Sequence, residues 1–94
     1  MVQFQDKTLE LDCGIAPVRM RAWLEDELEL AQDDTGAFLY EADAGWCRAT
    51  IAPLGKSGRG YFALERTKLA ISGEAGTVDA FMRQFTLRFL SAGG

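Results

Sequence analysis

Apolar and polar positions along this chain change period several times, and each change marks a predicted element. In VQFQDKTLELD the apolar residues alternate at Val2 and Phe4 and again at Leu9 and Leu11, with the phase changing across Asp6 and Lys7. Period-two alternation with one slip describes an extended segment that carries a bulge or a tight hairpin. The run GIAPVRMRAWLEDELELA follows, with Met20, Trp23, Leu24 and Leu28 on one helical face and Pro17 suited to a first helical turn. It predicts a helix over about 17–27, against a competing period-two pattern at Val18, Met20, Ala22 and Leu24. From Leu28 the β-favouring runs LELAQ, AFLYEA and WCRATIA are separated by DDTG and DAG, whose Asp, Thr and Gly form turns. After the expected loop PLGKSGRG, YFALERTKLAIS reads as another strand. The last run, TVDAFMRQFTLRFLSAGG, puts Val78, Phe81, Met82, Phe85 and Phe89 at helical spacing, with Thr77 as the expected N-cap and Asp79 near the positive end of the dipole.

The predicted order is β-α-β-β-β-β-α within one domain spanning residues 1–94. One antiparallel sheet of about five strands, with two helices packed on one face, is the simplest way to bury two apolar helical stripes in so short a chain. The expected class is therefore α+β. This order resembles that of TATA-binding-protein-like and helix-grip domains. The resemblance is one of element order, without a motif, and function does not follow from it.

Strand pairing sharpens the picture. If the turns close as they read, Gln32 lies near Ala37, Ala42 near Trp46, and Ala52 near Gly60. One face then collects Leu28, Leu30, Ala37, Leu39, Cys47, Ala49, Ile51, Tyr61 and Ala63. The other collects Ala31, Phe38, Tyr40, Ala42, Trp46, Thr50, Phe62 and Leu64, with Arg48 and Arg66. The small residues of the first face leave room for the phenylalanines of the last helix. The aromatic face is then an open working surface, since an uncovered apolar patch marks a partner, ligand or oligomer site. The competing expectation is that the aromatic side is itself the core and the pairing is displaced.

Composition narrows the chemistry. The chain has no histidine, which removes the commonest general base and a frequent ligand of zinc and copper. Its net charge is -4, yet residues 1–47 hold eleven acids and three bases while residues 48–94 hold three acids and seven bases. Complementary halves packed together explain this more simply than a dipolar docking surface. The apolar runs are too short to cross a bilayer and the start lacks the apolar core of a signal peptide, so the expected location is cytoplasmic. Cys13 and Cys47 then read as free thiols.

Several short patterns invite functional readings. Gly55-Lys56-Ser57 ends like a phosphate-binding loop, but Thr50 stands where another glycine is needed and a strand pattern follows. Arg48, Lys56, Arg59, Arg66 and Lys68, interleaved with Trp46, Tyr61 and Phe62, recombine the elements of a single-stranded nucleic-acid surface. A sequence pI near 4.7 opposes that use, and a cation-π contact of Arg66 over Trp46 is the plainer expectation. Glu25, Asp26, Glu27, Glu29, Asp33 and Asp34 crowd together without calcium-loop spacing and read as a solvated surface. The terminal Gly93-Gly94 is either the reactive tail of a ubiquitin-like or sulfur carrier or the stop after a helix. The helical stripe favours the stop.

The sequence thus predicts a non-enzymatic binding or interaction domain with no cofactor or metal, self-associating or meeting a protein partner through Tyr40, Trp46, Arg48, Phe62 and Arg66. The alternatives are a helix-grip-like domain enclosing a small apolar or anionic ligand, and the diglycine carrier. Nucleic acid and membrane are not expected partners.

Overall fold

A computed structural model describes residues 6–43, 45–57 and 64–90. Strands β1 (Asp6–Cys13), β2 (Ala31–Gln32), β3 (Phe38–Ala42), β4 (Gly45–Ser57) and β5 (Leu64–Glu74) form one antiparallel sheet in the order β1-β5-β4-β3-β2. Helices α1 (Pro17–Ala22) and α2 (Ala75–Phe89) cover one face, which gives the α+β architecture and element order read from the sequence.

Pro17 opens α1, where a missing N–H costs no helical bond, and the Ala16 carbonyl accepts from Arg19 and Met20. The helix widens into a π turn over Trp23–Glu27, closed by a 2.9 Å bond from the Leu28 N–H to the Trp23 carbonyl. In that turn the adjacent Trp23 and Leu24 are both buried. Glu29, with φ of 54°, ends the segment. At α2 the cap differs from the expected Thr77: the Glu74 carboxylate accepts from the Gly76 and Thr77 N–H groups and from the Thr77 hydroxyl. Thr77 instead lies buried inside the first turn.

The core combines Met20, Trp23 and Leu24 of the first helical segment with Val78, Phe81 and Phe85 of α2 and with Phe38, Cys47, Ala49, Leu69 and Ile71 of the sheet. The Trp23 ring lies 5.4, 5.9 and 5.3 Å from those of Phe81, Phe85 and Phe89. Tilted and edge-on packing of this kind adds to the burial energy of the rings.

Pairing corrects the predicted faces. Phe38 pairs with Ala49, Tyr40 with Cys47 and Ala42 with Gly45, one residue away from the expected register. Because side chains alternate along a strand, that slip carries Phe38 and Tyr40 to the helix-covered face. Cys47 and Ala49 are buried there, as expected, with Phe38 fully buried among them, while Ala37 is buried in the turn before β3. Residues 53–57 of the expected loop are strand: β4 continues through Pro53 to Ser57, with a bulge between Pro53 and Gly55, and pairs with β5, while 58–60 lie outside the described residues. Beyond Thr67, where β1 stops, and Ala49, where β3 begins its pairing, the two strands project as an arm. Among the described residues no helix is long and apolar enough to cross a membrane.

Candidate functional site

The residues expected to share an aromatic face are dispersed. Tyr40 turns into the core and meets Phe81 edge-on, with centroids 5.4 Å apart. Trp46 does lie on the open face and is 54% exposed, with Arg48 two positions along the same strand. Arg48 binds the Asp33 carboxylate and the Thr35 hydroxyl, each at 2.8 Å. Arg66 pairs across from Gly55, nine positions along β4 from Trp46 and so about 30 Å away. It forks onto Asp12, with its Nε–H 2.9 Å from Oδ1. The expected Arg66–Trp46 contact is therefore not made. Phe62, Tyr61 and Arg59 lie outside the described residues, as do Gly93 and Gly94.

The other candidate chemistries disperse as well. Gly55-Lys56-Ser57 is strand rather than the lead into a helix. Of the bases read as a nucleic-acid surface, Arg48, Arg66 and Lys68 already bind Asp33, Asp12 and Glu10. Three acids of the crowded stretch have assigned partners: Glu25 with Arg21, Glu27 with Arg88, and Asp33 with Arg48. Among the described residues no group of three potential ligands could hold a metal ion. Burial lifts the Cys47 thiol to about 11 and raises that of Cys13, where Asp12 adds to the shift.

A groove that the sequence did not single out lies on the helix side, at the edge of the sheet. It has a volume of about 600 Å³, within the range of small-ligand sites. Leu11 and Cys13 supply one wall, Ile15 the end, and Met82, Phe85 and Phe89 the opposite wall. Three sequence patterns build it. Alternation turns Leu9, Leu11 and Cys13 inward along β1. The Thr67 hydroxyl donates a 2.6 Å bond to the Ile15 carbonyl and ties the β1–α1 connection to β5. The last turns of α2 then carry Phe85 and Phe89 out over this edge, both rings backed by Trp23.

Charges ring the mouth. Asp12 is paired with Arg66, and the Arg88 Nε–H is shared between the two Glu27 carboxylate oxygens at 2.9 and 3.2 Å. Arg19 and Arg88 both stand over the Phe89 ring, at 5.9 and 5.1 Å from its centroid. Among the described residues Arg19 has no carboxylate partner. Neither arginine belongs to a recognisable motif, and they stand far apart in the chain. Only the meeting of the start of α1 with the end of α2 brings them together. No family model matches the chain, and comparison with curated proteins and with solved structures returns no match.

Proposed function

We propose that this protein is a non-catalytic binding domain that accepts a small, largely apolar ligand in the groove between β1 and the end of α2. The observation that carries this reading is the groove itself: a recess of about 600 Å³ with apolar walls and a charged rim of Asp12, Arg19 and Arg88, held between a strand edge and a helix. Recesses of that size and lining are the usual form of small-ligand sites. The reading needs no cofactor. It also follows the expectation of a helix-grip-like domain more closely than that of an aromatic sheet surface, because Tyr40 has left that surface for the core.

Trp23 provides the test, since it packs on two of the lining rings. In a Trp46→Phe background, an apolar dye such as Nile red should bind one per chain and shift Trp23 emission, and Met82→Phe should weaken binding by narrowing the groove. Dye binding that ignores the groove substitution, in a variant with an unchanged circular dichroism spectrum, counts against the reading.

A second reading keeps self-association or a protein partner on the open sheet face. It is favoured by the exposure of Trp46 beside Arg48. Light scattering behind size-exclusion chromatography tests it: a dimer lost in Trp46→Ala supports this use, and a monomer at all concentrations leaves self-association without support.

A further inference from the structure

The charges around the groove specify more than an apolar occupant. Three guanidiniums and two carboxylates stand at or next to its mouth. Arg66 is matched to Asp12 and Arg88 to Glu27, which leaves Arg19. The C-terminal end of α2 contributes partial negative charge from its last carbonyls, which alone would disfavour an anion. Arg88 lies in that last turn, where a cation offsets the dipole. Glu27 neutralises most of that cation in turn, so the Arg88–Glu27 pair adds little net charge there, and Arg19 is the unpaired positive charge at the mouth among the described residues.

Arg19 has the geometry of a head-group anchor. Its guanidinium carbon lies 5.9 Å from the centroid of Phe89, a long cation-π contact that does not occupy its N–H groups, and these can meet a planar oxyanion. The same ring lines the apolar recess, so one side chain touches both the charged and the greasy end of the site. We infer that the ligand is an amphipathic monoanion, a carboxylate on an apolar chain, with the carboxylate on Arg19 and the chain against Leu11, Met82 and Phe85. This rests on the groove being the binding site, and the experiment separates the two ideas.

The probes are decanoate, decanol and decyltrimethylammonium, each titrated into the Trp46→Phe protein and followed by Trp23 fluorescence and calorimetry. Decanoate is expected to bind about tenfold more tightly than decanol, the scale of a charge-assisted hydrogen bond, and the cation more weakly than either. Arg19→Gln should bring decanoate to the affinity of decanol and leave decanol unchanged, while Arg19→Lys retains part of the preference. Arg19 is an exposed residue of α1, so these variants should keep the parent melting temperature. Equal affinity for decanoate and decanol, or a decanoate affinity indifferent to Arg19→Gln, overturns the anion assignment while groove binding stands. Failure of all three probes and of the apolar dye overturns both.

Discussion

Position 73 sets how closely β4 and β5 approach. Gly73 has φ of 150°, and a Cβ there would sit 2.5 Å from the Cα of Cys47 and from the Trp46 carbonyl oxygen. Those neighbours are backbone, so no side-chain rotation relieves the contact. Gly73→Ala is expected to cost about 3 kcal/mol in urea unfolding, from strain and clash together; a loss under about 0.5 kcal/mol would show that the strands part easily. Asp33 offers a pH probe. The Thr35 hydroxyl is the largest influence on its carboxylate, followed among the stabilising contacts by the Thr35 and Ala37 N–H groups and Arg48, and together they lower it from 3.8 to about 2. A carboxyl held below its unfolded value stabilises the fold fully above about pH 4 and loses that contribution as pH falls through about 2. Carbon-detected NMR should place the native midpoint near 2, and Thr35→Ala should move it up and flatten the acid loss of stability. An unmoved midpoint would exclude the hydroxyl as the cause.

At the scale of elements, the helices were legible because apolar stripes report a face directly. The spacing of Met20, Trp23 and Leu24 marked the segment that α1 and its π turn occupy, and Val78, Phe81 and Phe85 marked the buried side of α2. The strands were legible as strands but not in register. Asp33 takes the Thr35 and Ala37 N–H groups and draws Ala37 into the turn, so pairing begins with Gln32 and Phe38. No apolar pattern encodes that single residue, yet it decides which way Tyr40 points. The groove was illegible for a related reason, since its walls come from β1, the β1–α1 connection and α2. The β4–β5 arm escaped as well, because Pro53, Gly55 and Lys56 look like a loop. There Pro53 lacks an N–H and the bulge breaks the ladder, devices that keep a free edge from recruiting another strand. The arm is two strands without a helix over it, and Leu54 and Leu64 are largely exposed. Hydrogen exchange should therefore be at least about 100-fold faster at Lys56 and Glu65 than at Leu69 and Ile71. Equal protection would mean that the arm is covered.

Across the whole molecule, the uneven charge of the two halves becomes an internal arrangement. Lys7 binds Asp79, Glu10 binds Lys68, Asp12 binds Arg66, Glu27 binds Arg88 and Asp33 binds Arg48, so each pair joins residues 1–47 to residues 48–94. Of these five, Lys7–Asp79 has the reversed sign, a base of the acidic half on an acid of the basic half. Lys7 lies on the helix side of edge strand β1, paired with Gly73, and reaches Asp79 of α2 at 2.7 Å. An inward-facing charge on an edge also discourages strand addition, so this contact both joins the halves and guards the sheet. Each pair is exposed and contributes little alone, because water and side-chain entropy offset the attraction. Together they act between a half of strongly negative charge and a half of positive charge, and salt should weaken that sum. The opposing effect is relief of the repulsion from a net charge of -4, which is spread over the whole surface and is weaker than attraction between groups in contact. Raising NaCl from 0.02 to 0.3 M shortens the screening length from about 20 to about 6 Å, and the melting temperature is expected to fall by a few degrees. Replacing both Glu10 and Asp12 by glutamine should remove a large part of that dependence, because their partners Lys68 and Arg66 then have no cross-half acid. A melting temperature that rises with salt would mean that net repulsion outweighs the pairing, and the charge asymmetry would then have to serve a surface rather than the fold.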